Sequence, residues 1–129
     1  DKEAIVEAAL AEVNNVPKPG EPYTFEEDID APFLLKPIKA GDTTQGLSNP
    51  QVQALLLHAL RKNKDVLGLD FTGFDALGDD IQQLLIAYML DFMDGRPPAQ
   101  HPEIEAGPFK SAEDLRVIFD WYVIAFSNL

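Results

Sequence analysis

Hydrophobic positions recur at helical spacing in four stretches of the chain. Across Lys2–Val13, the residues Ile5, Val6, Ala9, Leu10 and Val13 share one side, while Glu3, Glu7 and Glu12 fall mostly elsewhere. That pattern predicts a short amphipathic helix, ended by Asn14-Asn15-Val16-Pro17. A second helix opens at Ser48-Asn49-Pro50-Gln51, where a polar cap precedes a proline in the first turn. It carries Val52, Leu55, Leu56, Ala59 and Leu60 on one stripe. Arg61, Lys62 and Lys64 crowd its end, where cations complement the carbonyl dipole, and Asn63 reads as the stop. A third helix spans Asp79 to Met93, closed by Gly95 and Arg96-Pro97-Pro98. The fourth opens on Ser111-Ala112-Glu113-Asp114, which resembles a capping box, and continues close to Leu129.

Between these stretches the periodicity fails. Residues 16–50 are punctuated by Pro17, Pro19, Pro22, Pro32, Pro37 and Pro50. Proline removes a backbone donor and fixes φ, so long regular elements are blocked there. Thr24-Phe25-Glu26-Glu27 has a capping pattern that predicts one helical turn over 25–30. Phe33–Ile38 reads as extended chain, an edge strand or a packed loop. Residues 65–78 carry two readings. Leu67, Leu69 and Phe71 alternate with polar residues as a strand would, with Leu34–Ile38 as the candidate partner, and Phe74–Leu77 fits a short helical turn equally well. Residues 96–110 form a second proline-rich link. The fold class that follows is mainly α: four principal helices, long proline-rich connections, and room for one small two-stranded β pairing in a single domain.

The third and fourth helices are apolar on two sides. Stepping about 100° per residue, Ile81, Leu84, Leu85, Tyr88, Met89 and Phe92 cover one face of the third, with Ile86, Leu90 and Met93 opposite. In the fourth, Leu115, Ile118, Phe119, Tyr122, Val123 and Phe126 make one stripe, and Val117, Trp121 and Ile124 another. A helix at a domain surface needs one apolar face. The second faces are therefore either covered from within the chain or available to another protein, and an exposed apolar patch marks an interface. Val117, Trp121 and Ile124, with Ile86 and Leu90, are the interface candidates, and Trp121 is the residue type that anchors contacts.

Charge narrows the partners. The chain has 22 acidic residues against 10 basic ones, a formal charge of −12. That balance opposes nucleic acid, whose phosphates need cations, and anionic membrane surfaces. It suits a basic protein partner or high solubility. Glu26, Glu27, Asp28 and Asp30 form an acidic run and are the candidate contact with such a partner. No apolar run approaches the ~20 residues of a membrane span. The absence of cysteine excludes disulfides and thiolate metal sites. It leans toward the cytoplasm, although a removed export signal leaves no trace. The chain begins at Asp1 without an initiator methionine, as a processed or excised chain does.

Catalytic chemistry has little local support. His101, Glu103 and Glu105 would share one face of an extended segment and are the metal candidates, a weak set short of a fourth ligand. His58 falls off the apolar stripe of its helix and is expected at the surface. A calcium loop counted from Asp70 has Asp75 where glycine belongs and Ile81 where glutamate belongs. There is no phosphate-binding glycine loop and no catalytic triad pattern. No cofactor is expected. The leading functional expectation is a non-enzymatic interaction or assembly module that presents a second apolar helix face to a copy of itself or to another protein. An acidic, immunity-like inhibitor of a basic protein and a small metal- or ligand-binding enzyme domain are the alternatives.

Overall fold

The computed structural model describes residues 1–99 and 101–129. Among them are six helices, four of them long, and one small antiparallel sheet. The elements in order are α1 (Lys2–Asn14), β1 (Tyr23–Thr24), β2 (Thr43–Thr44), α2 (Asn49–Lys62), α3 (Lys64–Leu67), α4 (Thr72–Asp75), α5 (Asp79–Met93) and α6 (Ala112–Ser127). The mainly helical class, the four principal helices and the single β pairing are those that the patterning predicts.

α2 is the centre of the molecule. Every residue from Val52 to Leu57 is buried, together with Ala59 and Leu60. That is a wider surface than the five-residue stripe visible in the sequence. α1 packs on α2, and α5 packs on it from another side. α6 lies against the far face of α5 and also touches α3 and α4. α5 is therefore sandwiched, which explains its two apolar sides. Ile86, Leu85, Met89 and Phe92 are all fully buried.

The local start signals hold. Ser48 caps α2, its backbone N–H donating to Gln51 Oε1 at 2.9 Å. Ser111 Oγ accepts from Asp114 N at 3.1 Å and starts α6. Asn63 terminates α2.

The connections differ from expectation in three places. Residues 25–30 form no helical turn. Phe25 and Ile29 are extended, and both are buried. The chain from Tyr23 to Thr44 is a loose antiparallel excursion in which Tyr23 pairs with Thr44, Thr24 with Thr43, and Ile29 with Ile38. Burying Phe25 and Ile29 on either side of a bend at Glu26-Glu27 outweighs a capping pattern there. The β pairing thus lies wholly within residues 16–50, and Ile38 finds Ile29 rather than the 67–71 segment. That segment is not a strand. It holds α3, a left-handed Gly68 at φ 73°, and then α4, which begins two residues ahead of the predicted turn at Phe74. Leu67, Leu69 and Phe71 are buried, so their alternation marked burial rather than strand pairing.

The 96–110 link is tied to the helices by Gly107 N, which donates to the Phe92 carbonyl at 2.8 Å, and by one side chain. Asn14 Nδ2 donates to the Phe109 carbonyl and Asn14 Oδ1 accepts from Phe109 N, both at 2.8 Å. Phe109 then stacks on Phe92, with ring centroids 5.3 Å apart. A second polar device serves α4. Buried Gln82 donates from Nε2 to the carbonyls of Leu77 at 2.8 Å and Phe74 at 3.2 Å. It satisfies backbone acceptors that a short helix leaves open.

Two positions on the α6 seam carry testable consequences. A Cβ on Gly73 would sit 2.7 Å from Val123 Cγ1, so α4 reaches α6 only because this residue is glycine. Gly73→Ala is expected to lower stability by about 1–3 kcal/mol in urea unfolding. Adding Val123→Ala should restore part of the loss, and an unchanged midpoint for the single variant would contradict the close approach. Tyr122 is buried among Tyr88, Trp121 and Phe126, and its hydroxyl has no hydrogen-bond partner among the described residues. Tyr122→Phe is therefore expected to be neutral or to stabilise by about 1 kcal/mol at pH 7. Burial, with the Asp91 charge second, pushes the Tyr122 phenol up to about 12 from its ordinary 10.0. The folded state holds this proton longer than the unfolded chain. Stability should then fall as pH rises from 10 toward about 12, and the Phe variant should lack that part of the fall.

Candidate functional site

α6 is the outermost layer. Leu115, Ile118, Phe119, Tyr122 and Phe126 bury its inner stripe. The opposite side faces out. Val117 is 38% exposed and Ile124, one heptad on, is 64% exposed. Trp121 lies between them, half-buried, with its ring edge-on to Tyr122 at 5.3 Å and to His101 at 6.3 Å. The other two residues of the expected interface sit apart. Ile86 is fully buried against this chain's own core and takes no part in any surface. Leu90 is half-buried and lines a cleft between α5 and the start of α2, away from α6.

Acidic groups border the α6 face. Glu113 and Asp120 are exposed and seven residues apart, which puts them on one flank of Val117 and Ile124. Asp114 and Trp121, also seven apart, lie on the other flank. Asp120 is held above the usual carboxylate range, first by burial and then by the nearby Asp70 charge, with Arg116 opposing. Asp70 itself is held low because Thr72 N donates to its Oδ1 at 2.9 Å. Arg116, the one base on α6, donates Nη1 to the Leu67 carbonyl at 3.1 Å. Asp120 has no hydrogen bond or ion pair among the described residues. The primary sequence flagged the apolar residues here, and Asp70 only as the start of a failed calcium-loop pattern, but not Asp120 or the meeting of these two residues fifty positions apart.

The acidic run at 26–30 does not form one patch. Glu27 turns toward α2, where His58 Nε2 donates to its Oε2 at 2.7 Å and Lys62 Nζ lies 3.0 Å from its Oε1. Lys62 also reaches Glu12 at 3.4 Å. Asp28 turns the other way, accepting from Ala40 N at 2.7 Å with Lys39 at 3.8 Å. Glu26 and Asp30 remain exposed. Glu12, Tyr23, Glu26, Glu27, His58 and Lys62 together edge a cleft of about 270 Å³.

His101, Glu103 and Glu105 are not drawn into a ligand set. His101 packs edge-on to Phe92 at 4.8 Å, with its Nδ1 donating to the Pro102 carbonyl at 3.0 Å. Glu105 is exposed and paired with Lys110 at 2.9 Å, which holds its carboxyl below the usual range. Among the described residues, no three His, Cys, Asp or Glu side chains are grouped where a metal ion would fit.

A larger cleft of about 430 Å³ lies between the Val16–Pro19 segment, the start of α2 and the outer side of α5. Its walls mix Val16, Val52, Leu90 and Met93 with Lys18, Asp91 and Arg96. The size suits a small ligand. Arg96 is already neutralised by Asp94 at 2.6 Å. No helix among the described residues is long and apolar enough to cross a membrane. No protein-family model, no curated protein and no solved structure matches the chain.

The Glu27 cluster gives a pH prediction. Hydrogen bonds from His58 and then Lys62 hold the Glu27 carboxyl below its ordinary 4.5. Its contribution to stability is therefore present above pH 4.5 and lost as pH falls through the lower folded value. The groups are half-exposed, so solvent screening keeps the effect small. Glu27→Gln should cost about 0.5–1 kcal/mol at pH 7, and the difference from the parent should vanish in acid. A gap that persists at low pH would mean that packing, not charge, is responsible.

Proposed function

We infer that this chain is a non-enzymatic protein-interaction module whose contact surface is the outward face of α6. The observation that carries this reading is the pair Val117 and Ile124. Both are large aliphatics left in water on a helix whose position the core already fixes. Full burial of a large aliphatic contributes roughly 1.5–3 kcal/mol, of which Ile124, 64% exposed, forgoes the larger part and Val117, 38% exposed, the smaller. Trp121 between them supplies a rigid, half-sheltered anchor of the kind that dominates binding energies. An acidic inhibitor of a basic protein is a special case of the same reading, favoured by the charge of −12. The cleft at Leu90 supports a small-ligand role less well, because its charged groups already compensate one another in part.

A photo-crosslinking residue at position 124, with a second at exposed Lys36 as reference, tests the reading in extracts of the source. One adduct specific to position 124, lost when Val117→Glu is added, is the expected result. No adduct at 124, or the same adducts from both positions, would overturn it. Val117→Glu itself should change stability by no more than about 0.5 kcal/mol, since it alters an exposed site.

A further inference from the structure

Resting on that reading, we propose that the α6 face takes a basic amphipathic helix. Such a segment would set aliphatic side chains against Val117, Trp121 and Ile124, and lysine or arginine side chains against the carboxylates on either flank.

Three observations choose this partner. First, the apolar stripe is bordered by carboxylates on both sides: Glu113 and Asp120 on one, Asp114 on the other. Second, the described residues supply this face with little countercharge: Arg116 acts on Asp120 and Lys110 on Asp114, and each is already hydrogen-bonded elsewhere. Arg116 is committed to the Leu67 carbonyl and lies where a Cβ on Gly68 would meet it at 3.1 Å. Lys39, Arg61, Lys62 and Arg96 are each paired with an acid away from α6, and Lys110, beside the α6 cap, is paired with Glu105. Third, Asp120 and Asp70 are like charges near each other, and burial already disfavours the Asp120 carboxylate. A neutral apolar partner would bury Asp120 further without compensation, which is the costly case. A second copy of this chain would bring the same carboxylates to the same stripe, with like charges opposed across the contact. A cation placed over Asp120 relieves both terms, and the aliphatic face beside it removes Val117 and Ile124 from water.

The test uses a synthetic helical peptide of leucine and lysine with leucines at i, i+3, i+4 and i+7. Its controls are the same composition with leucines scrambled, and the same leucine pattern with glutamate in place of lysine. Titration calorimetry gives affinity, and backbone amide shifts give the site. The patterned lysine peptide is expected to shift amides of Val117 to Ile124 and to weaken with added salt. Its affinity should fall about three- to tenfold in Asp120→Asn, and comparably in Ile124→Ser. The scrambled peptide should bind more weakly without marking α6. Equal binding of the glutamate peptide at the same amides, insensitive to Asp120→Asn, would overturn the basic partner while leaving α6 as the contact face. Lysine-peptide shifts confined to Glu26–Asp30 would overturn both. Both substituted sites are exposed, and unchanged amide spectra elsewhere confirm that the variants keep the fold.

Discussion

The structure depends on enclosing α2. A helix with buried residues at nearly every angle cannot rest on one neighbour. It needs walls around most of its circumference, and the rest of the chain is arranged as those walls. α1 and α5 supply apolar faces, and the extended 23–44 excursion contributes Phe25, Ile29 and Ile38 to the same core. One strip remains. His58 and Lys62, a turn apart, lie along it, and Glu27 and Glu12 close over them. Arg61 covers the adjoining edge, paired with Asp75 at 2.6 Å and placed 4.7 Å over the Phe71 ring. Polar residues of α2 therefore seal the core where apolar walls end.

That arrangement decides what reaches the surface. Because α5 is a wall of α2, its far side needs its own cover, and α6 provides it. Among the described residues, the edge of the 96–110 link reaches the outward side of α6, where His101 shelters Trp121. The exposure of Val117 and Ile124 follows from layering. The contrast between two helices of similar composition is one of degree: α5 buries Leu85, Ile86, Met89 and Phe92 and leaves Leu84 40% exposed, whereas α6 leaves Val117 38% and Ile124 64% exposed. The interaction reading rests on this difference.

Polar residues that look unremarkable in the primary sequence hold the irregular parts. Asn14 gives Phe109 the two hydrogen bonds that a strand neighbour would give. Gln82 sits in the core because the Leu77 carbonyl, two residues past α4, takes its donor from there. Each leaves fewer buried backbone groups unpaired, and an unpaired group costs about 1–3 kcal/mol. These contacts let proline-rich links of low intrinsic order pack closely against helices.

The four long helices, their limits and the two-sidedness of α5 and α6 were legible in the chain itself, because periodicity, caps and proline act between residues a few positions apart. So was the irregular character of 16–50. The pairing of Ile29 with Ile38, the central role of α2, and the strong exposure of Ile124 on α6 were not. Each depends on which surfaces meet, and that is settled by competition for burial among segments distant in sequence. The gathering of Asp70 beside Asp120, and the dispersal of Glu27 and Asp28 to opposite sides of one hairpin, belong to the same class. A charge run in sequence says how many carboxylates are near one another along the backbone, and only the packed chain says which of them share a surface.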